Sequence, residues 1–420
     1  MQALTYRISP VGWATCKWLR YFWRGCVLSK LAGLEQRELE PPALPGNRWV
    51  RVRTRLGGIC GTDLAILAQK QPPDSILQAF TSSPILLGHE NVAVVEEVGP
   101  DVDRSWIGRR VCVEPTLCCS VRGIEPECSP CGRGEYGACE NFGAAGIGSA
   151  HLPPGTSIGY NSRTGGSFGE SFVAHVDHLV PVPDEMPDEQ AVLTDPLACS
   201  LHAVLRAGID ERVRQVLVYG AGVLGLGVIS ALRATGFTGR IDALDRAGYL
   251  KPLAESFGAE GYLQLGSGPE RYEEIARRTG ATVQRVRFGN YMLSGGYDVI
   301  FDCVGSAGSI SESLKWTAAR GTVVCVGTGH GGRVDLTPLW FRELSLKGAY
   351  GRQREHCGGR RVDTYALVHE LMLAGRLKTD GLLTHTFPLG EYRQAFTVAM
   401  NKGAHRAVKV AFDFRTMKTR

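Results

Sequence analysis

Nowhere in its 420 residues does the chain hold eighteen consecutive apolar residues, so no stretch reads as a membrane-spanning helix. It also lacks a strong excess of one charge. Lys and Arg number 47 against 42 Asp and Glu, a formal net charge of +5. That is too small for nucleic acid or an anionic membrane to be expected as the main partner, though it slightly favours an anionic cofactor. No internal repeat or low-complexity tract appears. The start of the chain lacks the pattern of an export signal: residues 13–30 are aromatic and apolar, but Lys17, Arg20, Arg24 and Lys30 break them, and no small-residue cleavage site follows. Their spacing suits an amphipathic helix packed on the body of the protein, with a membrane-surface role as the lesser reading. A cytoplasmic protein is expected. Hydrophobic content of 44% and charged content of 21% are those of a globular chain, and its length favours two domains.

Cysteine is not scarce. There are 13, an odd number, and six fall between Cys112 and Cys139. Without an export signal, such clustering favours metal over disulfides. Cys128-x-x-Cys131 followed by Cys139 gives three thiolates at metal-binding spacing. The fourth must come from upstream, with Cys119 preferred and its neighbour Cys118 left open. Four thiolates would close a structural zinc site and order a loop poor in apolar residues. A second candidate is Gly58-Ile59-Cys60-Gly61-Thr62-Asp63 with Gly88-His89-Glu90. Thiolate, imidazole and carboxylate together suit a catalytic zinc with an open position. The glycines let backbones approach closely there, and strand-like residues 49–53 and 91–95 bracket the candidates.

Residues 34–115 read as an all-β region punctuated by Pro and Gly, residues 143–169 as glycine-rich coil, and residues 170–174 and 178–182 as strands. His175 and His178 are expected at the surface or at strand ends. Near residue 195 the pattern changes to alternating helix and strand, with strands at 215–219, 240–244, 297–302 and 322–326. That is βαβ order, a parallel sheet covered by helices on both faces. Gly220-Ala221-Gly222-Val223-Leu224-Gly225 follows the first of these strands and opens a helix, which is the context that makes a G-x-G-x-x-G informative. Gly220 makes the tight turn. Gly222, with Val223 and Leu224 at the helix N-terminus, brings backbone to a pyrophosphate, and Gly225 allows close helix packing. Asp245 is placed for the ribose hydroxyls, which favours NAD over NADP. Arg246 beside it keeps NADP open.

These motifs, with Asp195-Pro196-Leu197, occur in an order that resembles the zinc-dependent medium-chain dehydrogenase/reductase family over most of residues 35–412. The carboxylate-Pro-Leu is similar to the polyol, threonine and glucose dehydrogenase branch. The resemblance implies an α/β protein: a GroES-like β-rich catalytic domain (1–199 and 352–420, with the cysteine lobe 112–139) and a doubly wound Rossmann domain (200–351), the active site lying between them. It implies a catalytic zinc held by Cys60, His89 and either Glu90 or Asp195, and a structural zinc held by Cys119, Cys128, Cys131 and Cys139. Asp195 is a methylene shorter than the branch's usual glutamate and is expected to reach zinc through water. Thr62 matches the hydroxyl that bonds the substrate oxygen, and Asp63 the carboxylate that orients the histidine. The family's relay histidine is replaced by Ala65, so the proton must leave by a cofactor hydroxyl, water or another side chain. The family's first lobe cysteine falls at Glu125. The function implied is hydride transfer between a secondary alcohol of polyol, sugar or amino-alcohol type and NAD(P), in a homodimer or homotetramer. The rivals are an NADPH-preferring carbonyl reductase, a lyase or isomerase that uses tightly held NAD, and a non-catalytic relative. Phe168 is a candidate pocket wall or an ordinary packed aromatic. Lys409 is expected as a solvated edge-strand lysine, with a pyrophosphate contact as the alternative.

Overall fold

Trp49–Gly58 alternates Val50, Val52, Thr54 and Leu56 with Arg51, Arg53 and Arg55, and the strand it forms buries the first set while its arginines stay half-covered. A computed structural model of the protein describes residues 1–7, 9–71, 74–264, 266, 268–329 and 331–416. In it this strand is central to a seven-stranded sheet. The order runs Leu383–Phe387, Lys409–Asp413, Trp49–Gly58, Glu90–Val98, Arg110–Val113, Leu179–Pro181, and Ser171–His175 also pairs with Trp49–Gly58. The register sets Gly58 opposite Glu90 on one side and Ala411 on the other. A Cβ on Gly58 would stand 2.2 Å from the Glu90 carboxylate, so only glycine admits that side chain.

The chain divides into two compact units, Met1–Asp195 with Thr379–Arg420, and Pro196–Lys378. In the first, Phe168, Phe396 and Phe412 meet edge to face inside one apolar cluster. Phe168 is therefore a core residue. Arg122 is wholly buried and organises the cysteine lobe: Nε donates to Leu117 O (2.8 Å), and the Nη atoms reach the carbonyls of Ala144, Pro153 and Gly155 among others. One guanidinium thus satisfies carbonyls of a coil that has no ladder of its own.

The second unit holds six strands, all paired in parallel, in the order Gly261–Leu263, Arg240–Leu244, Gln215–Tyr219, Tyr297–Asp302, Thr317–Cys325, Ser345–Gly348. Two antiparallel hairpins not anticipated from sequence are added, Thr282–Arg285 with Tyr291–Ser294 and Arg354–Cys357 with Arg360–Asp363.

Residues 352–378 pack in this second unit, whereas the sequence reading puts all of 352–420 in the first. Glu355 accepts from buried His202 Nδ1 (2.7 Å) and from the Thr364 hydroxyl (3.1 Å). Lys378 N donates to Ser230 Oγ (2.8 Å) on the helix Val223–Ala234. The other boundary falls at 195/196, inside the helix Thr194–Ala207, four residues earlier than expected.

Candidate active site

The strand Trp49–Gly58 delivers Cys60 to the N-terminus of a short helix, Gly61–Leu67. Gly88, at φ +98°, turns the chain so that His89 precedes the strand Glu90–Val98. One ligand atom from each of Cys60, His89 and Glu90 lies within 4.8 Å of the others. Asp63 is fully buried beneath them. It accepts from Cys60 N (3.0 Å) and from the Tyr160 hydroxyl (3.0 Å), and its Oδ1 is 3.9 Å from His89 Nδ1, which has no hydrogen-bond partner. Burial, then the Glu90 carboxylate, pushes the Cys60 thiol up to about 12, with Lys409 opposing. Burial also raises the Asp63 carboxyl.

Lys409 is the unexpected member. It lies between Leu383–Phe387 and Trp49–Gly58, not on an edge, and is 1% exposed. Its ammonium pairs with Glu90 and donates to Ile59 O (3.0 Å). It is neither solvated nor presented to a pyrophosphate. Burial works against its charge, but Glu90 and Cys60 outweigh that and raise its pKa. With Cys60 ionised, three acids here face one ammonium, and a divalent cation restores the balance. The thiolate, imidazole and carboxylate donors suit zinc.

Asp195 is 4% exposed at the start of its helix but is outside this mutually close set. Thr62 is on the first turn of the helix, its hydroxyl 3.6 Å from Cys60 Sγ. Ala65 is buried.

In the lobe, the sulfurs of Cys119, Cys128, Cys131 and Cys139 are likewise within 4.8 Å of one another. Donors point at them: Asn141 Nδ2 to Cys119 (3.1 Å), Asn141 N to Cys139 (3.4 Å) and Glu140 N to Cys128 (3.5 Å). These suit thiolates at a tetrahedral metal. Cys118 turns instead to Ser120 and His178, and Glu125 is exposed. His175 closes the strand Ser171–His175 and His178 immediately precedes Leu179–Pro181, so both are at strand ends, His178 being half-buried. His178 sits between Cys118 and Glu114, which outweigh its burial and hold its pKa up at about 9. His175 is buried.

Gly220 adopts φ +97°, and a Cβ on Gly225 would come within 1.8 Å of Gly220 O, so the turn and the helix packing both require glycine. A Cβ on Gly222 would meet nothing, which leaves the N-terminus of the helix Val223–Ala234, and the backbone of Val223 and Leu224 on its first turn, open to a phosphate. Asp245 accepts from Ala221 N (2.8 Å) and Ala247 N (2.9 Å), which aims it beside that turn, and Arg246 is exposed. The residues fit a dinucleotide.

Two family models match the chain: the alcohol dehydrogenase GroES-like domain over residues 46–184 and the zinc-binding dehydrogenase over 223–364. The chain belongs to the zinc-dependent medium-chain dehydrogenase/reductase family. It is 28% identical to an L-idonate 5-dehydrogenase of Vitis vinifera, over 91% of this chain and 93% of that protein. It is also 28% identical to a sorbitol dehydrogenase of Arabidopsis thaliana, over 91% and 94%. The fold matches that of 2R,3R-butanediol dehydrogenase from Bacillus subtilis, with a TM-score of 0.69, 24% identity and 98% and 99% of the chains covered. As a family member the protein is a zinc-dependent oxidoreductase that moves hydride between an alcohol and NAD(P).

Sequence reasoning missed two residues of this dehydrogenase's site. Lys409 carried a signal: a lysine within the apolar run of residues 407–412. Tyr160 carried none, because it lies in the glycine-rich stretch whose path no periodicity reveals.

Proposed function

We propose that the protein is an NAD-dependent dehydrogenase of a polyol, sugar or amino-alcohol, with Cys60, His89 and Glu90 as the catalytic zinc ligands. The observation that carries this reading is the mutual proximity of those three donors over the Asp63 carboxylate. Zinc bound there supplies a Lewis acid that lowers the pKa of the substrate hydroxyl, and NAD supplies the hydride acceptor. Thr62 would accept the substrate proton at its hydroxyl oxygen while giving up its own hydroxyl proton. Ala65 has no group to pass it on, so the proton leaves by a cofactor hydroxyl or water. Asp63 orients His89, and Tyr160 fixes Asp63. Lys409 restrains Glu90, and Asp195 would act on the metal only through water. Gly220, Gly222, Val223, Leu224 and Gly225 hold the pyrophosphate, and Asp245 the ribose, with Arg246 turned to solvent. Cys119, Cys128, Cys131 and Cys139 hold a structural zinc.

The relatives named for L-idonate and sorbitol support the polyol class. The gathering of Cys119, Cys128, Cys131 and Cys139 as metal donors rather than as disulfides supports a cytoplasmic location. Self-association is proposed through the edge strand Ser345–Gly348, where Leu336, Leu346, Trp340 and Phe341 are exposed.

The test is a panel of polyols, sugars and amino-alcohols followed by reduced-nucleotide absorbance with NAD and with NADP, zinc being measured on the same sample. NAD-dependent oxidation of one class is expected, with zinc at both clusters. Preference for NADP, or no turnover with any class, would count against the proposal. Asp245→Ser is expected to lower the NAD/NADP ratio of kcat/KM by roughly 10–100-fold, since it removes a charged hydrogen bond and the repulsion of a 2′-phosphate. An unchanged ratio would remove Asp245 from cofactor selection.

A further inference from the structure

Residues 10–32, between the strands Gln2–Tyr6 and Leu34–Glu38, take no part in the site. Their inner side is fixed: Cys16, Cys26, Val27, Leu28 and Ala32 are buried in one cluster with Leu4, Tyr6 and Phe396, and Arg393 donates to Leu28 O (3.3 Å). Their outer side is aromatic and open. Trp18, Tyr21, Phe22 and Trp23 are 64%, 77%, 80% and 52% exposed. The Trp18 and Phe22 ring centroids are 5.6 Å apart, the Lys17 ammonium stands 4.9 Å over Trp13, and the Arg20 guanidinium 5.8 Å from Tyr21.

The charge of this segment is equally one-sided. No Asp, Glu, Asn or Gln occurs from Ala3 to Leu34, whereas Arg7, Lys17, Arg20, Arg24 and Lys30 do. The entire formal net charge of +5 therefore lies in the first 34 residues, and the rest of the chain balances.

We propose that this face docks the enzyme on an anionic lipid surface. The rings of Trp18, Tyr21, Phe22 and Trp23 enter the headgroup boundary, and Lys17 and Arg20 engage headgroup phosphates and carboxylates. Exposed Trp and Tyr flanked by Lys and Arg have the composition of an interfacial anchor. A second copy across a two-fold axis would bring like charge against like charge. A protein partner needs donors and acceptors matched around its rim, and this segment has no carboxylate or amide side chain to offer as an acceptor. Among the described residues no helix is long and apolar enough to cross a membrane, so the contact stays at the interface.

The test is co-sedimentation of the full chain with vesicles of phosphatidylcholine alone and of phosphatidylcholine mixed with phosphatidylserine. Binding to the mixed vesicles is expected to be at least about tenfold tighter and to weaken as salt is raised. Trp18→Ser/Phe22→Ser and Lys17→Gln/Arg20→Gln should each weaken it about tenfold or more while leaving dehydrogenase activity in solution unchanged. Three results would overturn the proposal. The first is no binding to either vesicle, or equal binding by the variants. The second is retention on poly-glutamate without vesicle binding, which would give the face to an acidic protein. The third is a lower mass of Trp18→Ser/Phe22→Ser in sedimentation velocity, which would give it to a second copy.

Discussion

Cys60→Ser is expected to lose the zinc of the Cys60, His89 and Glu90 set and to lower kcat/KM by about a thousandfold or more. Serine stays protonated at neutral pH and does not replace a thiolate on zinc. The Lewis acid contributes several kcal/mol to the transition state, and each 1.4 kcal/mol or so is tenfold in rate. Metal analysis and steady-state kinetics on one sample check this. The lobe sits on separate residues, so its zinc should remain in Cys60→Ser. Cys139→Ser should show the reverse: the lobe zinc is lost and the melting temperature falls. Full zinc content in Cys60→Ser would sink the ligand assignment, whatever the activity.

In protein stripped of zinc, Lys409→Met is expected to destabilise the fold by about 3–5 kcal/mol, because it leaves the Glu90 carboxylate buried without a cation. For a unit of this size that is a fall of roughly 6–20 °C in melting temperature. Glu90 and Lys409 are both about 1% exposed, so water cannot substitute for the missing partner. The double variant Lys409→Met/Glu90→Gln removes both charges and should recover at least half of the lost stability, although zinc affinity stays low. Thermal melts of the single and double variants decide the matter. Equal melting temperatures for wild type and Lys409→Met would show that the pair is not under strain from burial. Greater loss in the double variant than in the single would show that Glu90 is held by something other than Lys409.

These two sites differ in how far the sequence disclosed them. Cys60, His89 and Glu90 were legible because they stand in two short motifs, Gly58-Ile59-Cys60-Gly61 and Gly88-His89-Glu90, and the need for glycine at Gly58 and Gly88 shows within a few residues. The nucleotide turn was legible for the same reason: Gly220, Gly222 and Gly225 do their work within six residues. Lys409 was not, because the strand Lys409–Asp413 reads the same at an edge or in the middle of a sheet. Only its pairing with both Leu383–Phe387 and Trp49–Gly58 shows that its lysine is buried. The domain boundary after residue 351 failed similarly. The helix Thr364–Leu373 is buried over most of its length, so its pattern says that it packs without saying against what.

Between Cys118 and Cys119 the sequence could not choose, since adjacent residues at a helix start differ only in the direction of their side chains. The structure turns Cys119 into the cluster and Cys118 towards His178. The sequence by itself determined the chemistry available: two sets of metal donors, a phosphate-binding turn with an acidic residue beyond it, and a parallel sheet to carry that turn. Those depend on contacts within a few residues. Only the tertiary structure decided which carboxylate stands close to Cys60 and His89, which cation neutralises it, and which tyrosine supports Asp63. Glu90, Lys409 and Tyr160 come from segments as much as 319 positions apart, and strand pairing, which no local pattern encodes, brings Glu90 and Lys409 together across Gly58.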